Sequence, residues 1–68
     1  MNDWVSIYTS GSQQLSEMIK GLLTHNEINS VVVNKQDSLY KFGEFEVFVN
    51  REDVVKAKFV LKENGKEQ

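Results

Sequence analysis

The sequence predicts an α+β fold: a ferredoxin-like β-α-β-β-α two-layer sandwich with a three-stranded antiparallel sheet, two helices on one face, and the final strand missing. Three observations predict it. Trp4 to Thr9 and Glu44 to Val49 alternate with the two-residue period of half-buried strands. Leu15, Met18, Ile19, Leu22 and Leu23 recur at the spacing of one apolar helical stripe. Val31-Val32-Val33 is β-branched throughout, as a largely buried strand requires.

In the first strand, Val5 and Ile7 point one way and Trp4, Ser6 and Tyr8 the other. Ser10-Gly11-Ser12 is a turn, and either Ser10 or Ser12 can cap the helix that follows; Ser10 would pair with Gln13 in a capping box. This helix runs from Gln13 to about His25, and Asn26 suits its left-handed exit. Gly21 inside it costs about 1 kcal/mol relative to Ala, which tight packing of the helix on a strand explains best.

After the second strand, Ser30 to Asn34, the connection Asn34 to Gly43 is longer than the ~2–5 residues of a simple hairpin. It carries Tyr40 and Phe42, rings that either the domain or a partner must hold. Gly43 permits a bulge or a positive φ on re-entry into the third strand. There Phe45, Val47 and Val49 face one side, and Glu44, Glu46 and Phe48 the other. Asn50 caps a second helix, with Glu52 and Asp53 in its dipole-favoured first turn. Val54, Ala57, Lys58 and Leu61 share a face, which Val55, Phe59 and Val60 widen. Asn64-Gly65 stops this helix, and the tail from 64 to 68 is expected to fray.

This topology directs Val5, Ile7, Val31, Val33, Phe45, Val47 and Val49 at the helices. It leaves Trp4, Tyr8, Val32 and Phe48 on an open sheet face, and such apolar patches mark interaction sites. The first strand also has a free edge that invites pairing.

The 68 residues make one domain, 1–68, with an ordered core of about 3–63. So small a domain buries a modest share of its surface, and a homodimer interface would support it. The absence of cysteine excludes a disulfide framework. A net charge of −2 argues against nucleic-acid binding. The start of the chain has no secretory pattern and no run spans a membrane, pointing to a cytoplasmic protein.

The chemistry-bearing residues do not assemble into a reaction centre. His25, the single histidine, has no carboxylate or serine near it in sequence and suits the C-terminal end of a helix dipole. Asp37-Ser38 reads as a turn in which side chains bond local amides, since serine activation needs an oriented base. Glu44 and Glu46 read as solvated strand residues, and Lys56, Lys58 and Lys62 intermix with carboxylates on a solvated helix face. No spacing suggests a metal site or a phosphate loop, so the expectation is no enzyme, no metal and no cofactor.

The chain resembles a small bacterial domain family, the DUF2007 family of putative prokaryotic signal transducing proteins. The resemblance is carried by Trp4-Val5-Ser6-Ile7-Tyr8-Thr9-Ser10, Ile19-Lys20-Gly21-Leu22-Leu23 and Asn50 to Lys58. It is carried most specifically by Val31 to Ser38 and Tyr40-Lys41-Phe42-Gly43-Glu44. It implies a ferredoxin-like fold related in shape to the nitrogen-regulatory PII proteins. The expected function is a non-enzymatic regulatory or adaptor module with an unidentified protein partner. The partner-binding loop would use Asn34, Lys35, Asp37, Ser38, Tyr40, Phe42 and Gly43, and the sheet-face interface Trp4, Tyr8, Val32 and Phe48. The alternative is a small-molecule sensor of PII-like shape for a nucleotide or amino acid.

Overall fold

The computed structural model describes residues 3–35 and 44–67. Its elements are β1 (Trp4–Ser10), α1 (Gln13–His25), β2 (Ser30–Asn34), β3 (Phe45–Asn50), a 3₁₀ turn (Arg51–Asp53) and α2 (Val54–Glu63). The strands form one antiparallel sheet in the order β1-β3-β2. The predicted order and sheet are therefore present, with both helices packed against the strands.

The core forms where the helices meet the sheet. Ile19 and Leu23 of α1, Val47 and Val49 of β3, and Ala57, Val60 and Leu61 of α2 are buried together with Ile28. The α1 stripe divides within itself: Leu15 and Leu22 pack on the margin of the core, whereas Met18 is 46% exposed. Ser16 is fully buried on the same helix and satisfies its hydroxyl by donating to the Ser12 carbonyl at 3.1 Å.

Both helix ends are built locally. Ser12 is the α1 N-cap: its Oγ accepts from the Leu15 amide at 3.1 Å, while Ser10 Oγ accepts from the Ser12 amide at 2.9 Å. Of the two candidate caps, Ser12 is the one used. At the other end the Ile28 amide donates to the Leu23 carbonyl and the Glu27 amide to the Thr24 carbonyl. This is a Schellman motif, with buried Ile28 closing over Leu23. Its left-handed residue is Glu27, at φ 62°, rather than Asn26. The Asn26 side chain donates instead to the Leu22 carbonyl. The end of α2 repeats the motif with Gly65 at φ 68°, Lys66 donating to Leu61 and Gly65 to Lys62.

Several side chains lie differently from the sequence reading. In β1 the register with β3 shifts between Ser6 and Tyr8, so that Ile7 and Tyr8 together oppose Val47. This β-bulge breaks the two-residue alternation. Ile7 and Tyr8 are both buried in the core cluster, so Tyr8 leaves the open face. In β2, Val32 pairs with Val47 and packs against the core, while Val31 pairs with Phe48 and Val33 with Glu46. The inward and outward sets of β2 are therefore reversed: Val32 faces the helices, and Val31 and Val33 face out.

Asn50 stands ahead of the 3₁₀ turn but makes no side-chain capping bond. Val55 and Phe59 do not widen the core face of α2; they are 83% and 61% exposed. A Cβ built on Gly21 would meet nothing within 4 Å, so close packing does not account for this glycine.

Candidate docking face of the sheet

Antiparallel partners present their side chains on the same side, so the register defines the face turned away from the helices. Across its middle run Ser6, Phe48 and Val31; Trp4 pairs with Asn50 toward one end, and Thr9, Glu46 and Val33 lie toward the other. Trp4 and Phe48 are diagonal neighbours, near enough for aromatic side chains to shield one another. Both are half-buried, as is Val33, while Val31 is 37% exposed. No helix or strand among the described residues covers this face. Trp4 and Phe48 therefore lie where the sequence put them, Tyr8 and Val32 do not, and Val31 and Val33 take their place.

At one margin of the patch Lys35 Nζ lies 2.5 Å from Glu46 Oε2. The Lys35 amide also donates to the Glu44 carbonyl at 2.6 Å, carrying the β2–β3 ladder one step beyond the strands. Backbone pairing and ion pair together hold Lys35 over the sheet. Glu46 is thus a cross-strand partner to a lysine as well as a strand residue. Of the predicted loop site, Asn34 lies at the end of β2 opposite Phe45, and Lys35 follows it. Asp37, Ser38, Tyr40, Phe42 and Gly43 lie outside the described residues.

Val31 and Val33 were missed because Ser30-Val31-Val32-Val33-Asn34 reads the same from either face. The pairing of Val32 with Val47, which the strand's own sequence does not encode, decides between the two. His25 is exposed in the last turn of α1. Among the described residues no group of three or more His, Asp or Glu side chains is gathered to hold a metal ion. No described helix is long and apolar enough to cross a membrane.

The family model described as putative prokaryotic signal transducing protein matches residues 4–65. Comparison with curated proteins and with solved structures finds no match.

Proposed function

The chain belongs to the DUF2007 family of putative prokaryotic signal transducing proteins, and from that premise we propose that it is a non-enzymatic regulatory or adaptor module that works by docking. The open sheet face pairs with the same face of a second copy, and the 34–43 connection meets a protein partner. The observation that carries this reading is the patch of Trp4, Phe48, Val31 and Val33 opposite the helix layer. Apolar side chains gathered on one uncovered face are the usual mark of an interaction surface. A small domain gains stability by covering such a face, and a two-fold axis lets one patch serve both partners. The Lys35–Glu46 pair gives the patch a polar margin, as interfaces commonly have.

Sedimentation equilibrium tests the proposal. Wild type associates as its concentration rises, and Trp4→Ala and Phe48→Lys each weaken the association while circular dichroism stays native. Unchanged association in both variants contradicts it. A thermal-shift screen against nucleotides and amino acids addresses the sensor alternative, because a ligand specific to the folded state raises its melting temperature. A flat screen supports the docking module; a saturable shift supports the sensor.

A further inference from the structure

A second surface lies at the other side of the molecule, between the outer edge of β1 and α2. It is a shallow groove of ≈ 330 Å³, lined by Ile7 from the bulge and by Val55, Lys58, Phe59, Lys62 and Glu67 from α2 and the segment after it. We propose that this groove and the β1 edge accept an extended acidic segment of a partner protein as a fourth strand.

The backbone argument comes first. β1 is an outer strand, paired among the described residues with β3 alone. Native edges are commonly blocked by Lys, Pro or other charged side chains, and Trp4–Ser10 has none. The bulge at Ile7 is the one edge-blunting feature it carries, and it leaves Trp4–Ser6 and Tyr8–Ser10 as regular strand on either side. An added strand takes up main-chain bonds along such an edge, and its alternate side chains point into the helix layer. There they meet Ile7, Val55 and Phe59. This gives a use to the 83% and 61% exposure of Val55 and Phe59, which the packing of α2 on its own sheet leaves unexplained.

The charges decide the occupant. Lys58 and Lys62 lie one helical turn apart on the groove, and Glu67 is the single carboxylate among its described lining. Carboxylates on the incoming strand complement the two lysines. A second copy does not: edge-to-edge pairing of β1 about a two-fold axis would bring two α2 faces together, with Lys58 and Lys62 opposed to lysines. Like charges so placed select against that partner.

The test is selection of a phage-displayed library of random linear peptides of about twelve residues on the full chain, followed by synthesis of the enriched sequences. The expected sequences alternate β-branched residues and carry several Asp or Glu. Their amide shift changes fall on Val5–Tyr8 and Val55–Lys62. Phe59→Ser weakens their binding by about tenfold or more, as loss of a central aromatic contact does. Lys58→Glu with Lys62→Glu weakens it comparably, and N-methylation of alternate peptide amides abolishes it. These α2 side chains are exposed, so the variants fold, and circular dichroism verifies it. The proposal is overturned by a selection with no enrichment, by basic consensus sequences, or by shift changes centred on Val31 and Phe48. It is equally overturned if N-methylated peptides still bind, or if Phe59→Ser abolishes self-association while Phe48→Lys leaves it intact.

Discussion

Tyr8→Ala separates the bulged strand from the regular one that simple alternation implies. In a regular strand Tyr8 would share the open face with Trp4, and its loss would weaken association with little effect on folding. In the structure Tyr8 is 8% exposed and packs within the core. A tyrosine buried to that degree removes about 150–250 Å² from water, which at ~25 cal/mol per Å² is about 4–6 kcal/mol. Aromatic-to-alanine substitutions in cores cost about 3–5 kcal/mol. A 68-residue domain has only about 3–10 kcal/mol of total stability, so Tyr8→Ala removes a third of it or more. Urea unfolding followed by far-ultraviolet circular dichroism measures this directly. With a slope of about 1 kcal/mol per molar urea, the midpoint falls by several molar or the variant is unfolded at the outset. Val31→Thr, on the open face and 37% exposed, is the control and shifts stability by no more than about 0.5 kcal/mol. A Tyr8→Ala loss below about 1 kcal/mol would refute the inward placement and with it the bulge.

Other outcomes follow from the same geometry. Gly21→Ala stabilises by up to about 1 kcal/mol, because a Cβ there meets open space; the melting temperature rises by about 4–8 °C per kcal/mol, and a fall would mean that the position is constrained by something else. Glu27→Gly raises the melting temperature too, since a non-glycine residue in the left-handed region costs about 1–2 kcal/mol and Glu27 sits at φ 62°; Glu27→Val lowers it. Ser12→Ala costs about 1 kcal/mol in urea unfolding through the lost helix cap, whereas Asn50→Ala, with no capping bond to lose, leaves the midpoint nearly unchanged.

The element order was legible because each element carries its period in its own residues. The α1 stripe, the alternation of Phe45, Val47 and Val49, and the exit from α2 at Asn64-Gly65 are all local signals. The errors arose where facing depends on another strand. One extra residue at Ile7 turns Tyr8 inward, and that bulge shows only in the pairing with β3. Three consecutive valines flanked by Ser30 and Asn34 carry no parity, so β2 takes its facing from Val47. Asn26 and Glu27 show a different limit. Residue preference favours asparagine for the left-handed position, but the bonds from Ile28 to Leu23 and from Glu27 to Thr24 place it one residue later. On α2, Val55 and Phe59 were credited to the core for being apolar, though Ala57 and Leu61 mark the buried side. Half of the candidate sheet face, Trp4 and Phe48, was therefore readable in advance; the other half, Val31 and Val33, waited on strand register.

The most direct measurement is an isotope-filtered nuclear Overhauser experiment on an equal mixture of labelled and unlabelled chains. Intermolecular signals from the Trp4 indole and the Phe48 ring to Val31 and Val33 methyls of the other copy are the predicted result. Their absence at concentrations where the chain associates, or their appearance only at Val55 and Phe59, would contradict docking through the open sheet.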